Sequence, residues 1–431
     1  MSHFYRAILL VACMACTSVP ADDTSTSASS EAAAASPCVV NTLMGGARTF
    51  IHFARPSNPC KPTATGFAEA PLSPPNEARD FNIVAELKRL IDHVPAGGTI
   101  KGHIYQIDMD AIAAALVNAQ NRGVNVRIST DPQVATSADP SRTKYLAQLD
   151  HVVYCSAANG IPCIGTSTAS SAASHVKVFT FTQGTSATGI PSPTGNLYDH
   201  VSWVGSANPT YASGAEMFNN SVTIYGWQAV FDDLGSYLDD MYHQVQYRQY
   251  YDVASGRGYF PHHPATFYAS PSPDADLVLS QLNALTPDPA CVIRLMQTFI
   301  NDSRMAVVNK IVDLANRGCT VYIATDKIQP DAFAALHGAG IPIRHQRIHD
   351  KVITVHGNYS GAYQYRVYTG SHNLGSTAND TNEELFVRLD PEPVGDASLR
   401  PVYNAYYDHF YDAFDTGDNL TGPTAAAAVA E

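Results

Sequence analysis

The sequence predicts an α/β protein of two duplicated lobes, each a central mixed β-sheet flanked by helices, packed against each other. Three observations carry this: a helix–strand unit that occurs twice, two short polar motifs that recur in the same order after each unit, and a length of 431 residues, enough for two cores. The first unit, 110–122 (DAIAAALVNAQNR), spaces Ile112, Leu116 and Ala119 three and four apart on one helical face, and Gly123 ends it. The second, 305–317 (MAVVNKIVDLANR), is ended by Gly318. Both close on Asn-Arg-Gly, 195 positions apart. Apolar strand candidates precede them at 99–105 and 291–296 and follow them at 124–128 and 319–324, the latter two leading to Asp131 and Asp326. A candidate surface helix and a further strand come next in each half, at 142–149 and 151–154, then at 330–337 and 341–347. Strands alternating with helices of this length argue for helices layered on a sheet.

Composition narrows the function. Hydrophobic residues make up 45%, which excludes a wholly disordered chain, and 28 Gly with 27 Pro in no repeat exclude a fibrous one. Against 39 Asp+Glu stand 26 Lys+Arg, a net charge of −13, which lacks the basic footprint of a duplex nucleic-acid binder. Residues 4–15 form an apolar run too short to span a bilayer, with Arg6 near its start. The run contains Leu10-Val11-Ala12-Cys13, similar to a bacterial lipoprotein signal, so Cys13 is the lipidation candidate; Cys16 is a second, and plain cleavage after an alanine stays open. The expected organisation is a signal peptide over 1–16, a low-complexity tether over 17–37, a first lobe over 38–255, a connecting loop region over 256–273, a second lobe over 274–418 and a disordered tail over 419–431. The expected location is outside the cytoplasm, as a secreted protein or an outer-surface or periplasmic lipoprotein. Six cysteines remain beyond the signal: Cys38, Cys60, Cys155, Cys163, Cys291 and Cys319. An even number in an exported chain suggests disulfides, and the short Gly/Pro loop between Cys155 and Cys163 makes that pair the first expectation. Among these six there is no CxxC, so no structural zinc is expected.

The recurring motifs carry the chemistry. His175-Val176-Lys177 is followed by Gly205-Ser206-Ala207-Asn208, and His349-Asp350-Lys351 by Gly370-Ser371-His372-Asn373. On a strand, H-x-K puts His and Lys on one face. An imidazole can attack phosphorus or protonate a leaving oxygen, and the neighbouring ammonium can hold the non-bridging oxygens. Asn208 and Asn373 would add neutral donors, Ser206 and Ser371 would touch substrate, and glycine lets backbone approach. One copy is half a site; two supply a nucleophile and an acid across one phosphodiester. No metal or cofactor is required, because Lys and Asn already supply the electrostatics.

This constellation resembles the phospholipase D superfamily, the HKD phosphodiesterases, over roughly residues 80–415, and is most similar to secreted or surface-tethered bacterial members with two motifs in one chain. The resemblance implies catalytic roles for His175, Lys177, Asn208, His349, Lys351 and Asn373. It also implies a carboxylate about ten residues past the Asn that orients the histidine. In the second lobe either Glu383 or Glu384 could orient His349, whereas the first lobe has Asn219 and Asn220 at that offset. The family's Asp five residues past the Lys is replaced by Thr182 and His356. The implied activity is phosphodiester hydrolysis through a phosphohistidine, with His175 as nucleophile, His349 as acid, and transfer to alcohols open. The expected substrate is a phospholipid or glycerophosphodiester met at a membrane surface by a monomer, with nucleic acid disfavoured. Two alternatives stand: a catalytically decayed, surface-tethered binding protein, and a secreted nuclease.

Overall fold

The computed structural model describes residues 37–64, 66–67, 78–136, 144–155, 162–169, 171–390 and 399–424. Cys13, the signal and nearly all of the tether lie outside the described residues. Two mixed sheets form the body. The first has eight strands, in the spatial order Val39–Met44, Ala47–Ala54, Asn219–Tyr225, His200–Gly205, Val178–Thr182, Thr99–Ile104, Asn125–Thr130, Val152–Tyr154. The main path of the second runs Tyr259–His262, Ala265–Ala269, Leu385–Leu389, Ala362–Gly370, Lys351–Tyr359, Val292–Ile300, Thr320–Ile328, Ile343–His345, with Asp418–Asn419 added at its edge. Taken strand by strand, the two orders are the same. Among the described strands, the parallel pairs in each sheet are the two strands that flank the repeated helix and the next strand outward, as crossover connections require.

The repeated helices form as their spacing predicts, at Asp110–Asn121 and Met305–Asn316. Gly123 (φ +89°) and Gly318 (φ +112°) end them in the left-handed region that glycine tolerates. The apolar faces of the helices Asn82–His93 and Asp110–Asn121 build one core with the first sheet, and those of Leu277–Asn283, Met305–Asn316 and Pro330–Gly338 another with the second. A third core joins the lobes. It contains Val178, Val204 and Val222 from one sheet, Val352, Val367 and Val387 from the other, and the buried faces of the helices Gln228–His243 and Arg400–Thr416.

Three expectations need correction. The stretch 256–273 is not a connecting loop: Tyr259–His262 and Ala265–Ala269 form the opening hairpin of the second sheet, at the place of Val39–Met44 and Ala47–Ala54 in the first. Pro261 is tolerated because it sits on an edge strand. The tail does not begin at 419, since Asp418 and Asn419 pair with His345 and Arg344, and Thr424 N–H donates to Ile328 O at 3.2 Å. Of the helix expected over 142–149, the described residues show Lys144 helical, a turn at Tyr145 and then a 3-10 turn, Leu146–Gln148. Three disulfides form, Cys38–Cys60, Cys155–Cys163 and Cys291–Cys319. The last ties the start of Val292–Ile300 to the start of its parallel neighbour.

Candidate active site

Each H-x-K triplet lies at the start of a strand, so its histidine stands just outside the sheet. What holds it there is the opposite lobe. His175 N–H donates to Glu383 O at 2.9 Å and His349 N–H to Phe218 O at 3.0 Å, a reciprocal exchange between lobes. The exchange brings the two imidazoles together, with ring centroids 6.4 Å apart. Both line one cavity of about 270 Å³, together with Asn208 and Asn373. The glycine before Ser371 is obligatory: Gly370 has φ +119°, and a Cβ there would meet Leu385 O at 2.0 Å.

The lysines are buried beside their own histidines. Lys177 Nζ donates to His175 O and lies 4.9 Å from the centre of the Tyr105 ring, which meets His175 edge-on with centroids 4.5 Å apart. Lys351 Nζ donates to His349 O at 2.5 Å and stands 3.1 Å from His349 Nδ1. Burial, then the two ammonium groups, hold both imidazoles well below the ordinary histidine value, so both are neutral at pH 7.

The orienting groups differ between the lobes. Glu384 accepts a hydrogen bond from His175 Nδ1, at 2.8 and 2.9 Å to its two oxygens, and is itself fully buried. The expectation that Glu383 or Glu384 would orient His349 is therefore corrected: the carboxylate crosses to the other lobe because the backbone exchange seats His175 beside 383–384. Glu383 points away from both histidines and accepts the N–H groups of Ile164 and Gly165, the latter at 2.7 Å. Burial raises its carboxyl to about 7. At the place equivalent to Glu384 stands Asn219, whose Nδ2 donates to Ser213 O and whose Oδ1 lies 2.9 Å from Ser206 Oγ. His349 Nδ1 instead has two neutral partners at 3.0 Å, Ser206 O and Ser213 Oγ.

Ser206 and Ser371, expected to touch substrate, are turned into the protein. Ser206 Oγ lies 2.9 Å from Asp350 Oδ1, and Ser371 Oγ accepts Leu385 N–H at 2.9 Å. A Gly-Ser turn tight enough to present the Asn leaves the hydroxyl facing backbone. Residues outside the expected set also shape the site. Asp350, the middle residue of H-x-K, is fully buried and ties Ser206, Asn220 and His409 (Nε2 at 2.6 Å) into a bridge between lobes. Tyr105 and Asp326 line the cavity wall. Each of these two lies at or near the end of a strand that the repeat identifies; a comparison of the two halves at the fixed offset would have paired Asp326 with Asp131, whereas Tyr105 falls opposite Ile300 and gives no such signal.

Residues 292–399 match the family model described as "Cardiolipin synthase, PLD-like domain". The chain carries a phospholipase D-superfamily domain. The phosphatidylserine synthase of Haemophilus influenzae Rd KW20 shares this fold at 10% identity and TM-score 0.50, over 78% of this chain and 85% of that one. A phospholipase D family member, Nuc from Salmonella typhimurium, aligns at 23% identity over 36% of this chain and 98% of its own, with TM-score 0.28. Yeast tyrosyl-DNA phosphodiesterase aligns at 12% identity over 71% and 84%, with TM-score 0.45. No curated protein sequence matches the chain.

Proposed function

We propose that the protein is a phosphodiesterase working through a phosphohistidine, with His175 as nucleophile and His349 as general acid. The observation that carries this is the meeting of two neutral imidazoles, 6.4 Å apart by ring centroid, in one cavity beside two lysines and two asparagines. Glu384 holds the Nδ1–H of His175, which leaves the Nε2 lone pair for phosphorus. In the first step the P–N bond forms as the P–O bond to the alcohol breaks, and His349 Nε2–H supplies the leaving oxygen with its proton. In the second step water attacks phosphorus, His349 takes a proton back and the P–N bond breaks. Lys177, Lys351 and the amides of Asn208 and Asn373 hold the non-bridging oxygens. The phosphodiester anion raises the proton affinity of His349, so that the acid is charged when substrate is bound.

The substrate we propose is a lipid-derived diester, a phospholipid or glycerophosphodiester, with transfer to alcohols as a variant of the second step. A net charge of −13 supports this over a nucleic-acid backbone, and three disulfides support work outside a reducing cytoplasm. The test is a panel of phosphatidylethanolamine, glycerophosphoethanolamine and single-stranded DNA, with released head group and strand length as readouts. Release from a lipid-derived diester that His175→Ala abolishes is the expected result. DNA cleavage exceeding every lipid-derived release, and lost in the same variant, would overturn the substrate assignment; no cleavage of any diester would overturn the activity.

A further inference from the structure

The strand that follows the repeated helix carries Thr-Asp at or near its end in both lobes, Thr130-Asp131 and Thr325-Asp326, and the two carboxylates are used differently. Asp131 is consumed by the fold: its Oδ2 accepts Ser174 N–H at 2.7 Å and its Oδ1 accepts Gln133 N–H at 2.9 Å. Asp326 has no such task. Among the described residues its carboxylate accepts no hydrogen bond, and the nearest basic side-chain atom is His345 Nε2 at 3.9 Å, beyond hydrogen-bond reach. Its side chain keeps only 13% exposure, and it lines the cavity that holds both motif histidines and both asparagines. A mostly buried, unbonded carboxylate is costly unless a partner completes it.

We propose that Asp326 selects the head group, receiving a primary ammonium on the alcohol part of the phosphodiester while the motif lysines and asparagines hold the phosphate. The inference rests on the phosphodiesterase reading and deepens it. A carboxylate accepts the N–H bonds of a primary ammonium in a short, charge-assisted contact, whereas a quaternary ammonium has no proton to donate and an uncharged polyol gains only neutral hydrogen bonds. The same carboxylate repels any second phosphate along the substrate, which disfavours nucleic-acid strands at this wall. Burial raises the Asp326 carboxyl above its ordinary value, and Lys327, His345, Arg347 and Lys351 act against that rise. The cavity thus presents a positive floor and a negative wall, complementary to a zwitterion.

The test measures kcat/KM for glycerophosphoethanolamine, glycerophosphoglycerol and bis(p-nitrophenyl) phosphate in the wild-type protein, Asp326→Asn and Asp326→Glu. Wild type is expected to favour the ethanolamine diester over the glycerol diester by about tenfold or more, the discrimination of one charge-assisted hydrogen bond. Asp326→Asn should bring that ratio close to one, and Asp326→Glu should keep most of it. Free ethanolamine should also inhibit wild-type cleavage of bis(p-nitrophenyl) phosphate more strongly than ethylene glycol does, a readout that needs no variant. A wild-type ratio near one, a ratio unmoved by Asp326→Asn, or equal inhibition by the two small molecules would overturn the role of Asp326 while leaving the phosphodiesterase intact. Failure of the wild type to cleave any of the three would overturn both.

Discussion

The two lobes repeat one strand order around one motif set, yet they surround their histidines with different chemistry. His175, of the first lobe, is held by the buried carboxylate of Glu384 at 2.8 Å. His349, of the second, has a carbonyl and a hydroxyl at 3.0 Å and the Lys351 ammonium at 3.1 Å but no carboxylate, because Asn219 stands where a second carboxylate would be. Duplication supplies two equivalent imidazoles, and the single Glu/Asn difference is what the proposed assignment of nucleophile and acid rests on. Each lobe holds the other's histidine, so neither half alone would build the site.

The largest expected effect breaks the pair altogether. His175→Ala and His349→Ala should each lower kcat for an alkyl diester by about 10³-fold or more. They should part on bis(p-nitrophenyl) phosphate, whose leaving group needs no proton: there the His349→Ala loss shrinks to about tenfold while the His175→Ala loss remains. Equal losses on both substrates would remove the asymmetry of roles.

Next in size is the carboxylate itself. Glu384→Gln should cost about 10²-fold in kcat with little change in KM, since it disturbs the orientation of His175 and not the phosphate contacts. The converse change, Asn219→Asp, gives His349 a carboxylate neighbour and should move the alkaline limb of the pH–rate profile up by about one pH unit. Its expected cost is about 1–3 kcal/mol of stability, because Ser213 O loses the amide that donates to it.

A smaller contrast lies between two disulfides. Cys155–Cys163 holds the loop whose Cys163 N–H reaches Ser174 Oγ at 2.9 Å and whose next two N–H groups reach Glu383, the chain neighbours of His175 and Glu384. Cys291–Cys319 lies at the far end of its strands, away from the motif. Replacing either pair by serine should cost about 2–4 kcal/mol, read from urea midpoints. Only loss of the Cys155–Cys163 bridge should also lower kcat at saturating substrate.

The smallest effect is the pH dependence of stability, to which both lobes contribute. Burial pushes His103 down to about 3 and His372 to about 4. Below the unfolded value of about 6.5 the unfolded chain takes up protons that the folded chain refuses, so stability is lost as pH falls from there toward 4. Asp131 and Glu383 act in the opposite sense. Their folded values are raised to about 6 and about 7, so the folded chain keeps protons the unfolded chain releases, and that contribution is lost as pH rises through 6 to 7. The two effects oppose each other between about pH 4 and 7, so urea midpoints should change little there; His372→Asn should make the midpoint fall as pH rises toward 7, and Glu383→Gln should make it climb.

Much of this was legible in the sequence because it is written in local order. The helix spacing at 110–122 and 305–317, the glycines that end both helices, and the order of H-x-K and G-S-x-N each depend on neighbours within a few positions. The partner of Glu384 was not legible, because it is decided by a backbone exchange between residues more than 200 positions apart. The hairpin 259–269 was hidden by its prolines, which read as loop until an edge strand gives them a place. Ser206 and Ser371 were misread because a motif residue need not face the cavity that the motif builds. Asp326 was visible only as a strand end; its role appears when the bonded Asp131 is set beside it.

The central claim is that the lobe holding its histidine on a carboxylate supplies the nucleophile. Acid quench during turnover of a phosphorus-labelled diester, followed by peptide mapping, tests it most directly. The account predicts label on the peptide containing His175, retained in His349→Ala and absent in His175→Ala; label on the peptide containing His349 in the wild type would contradict it.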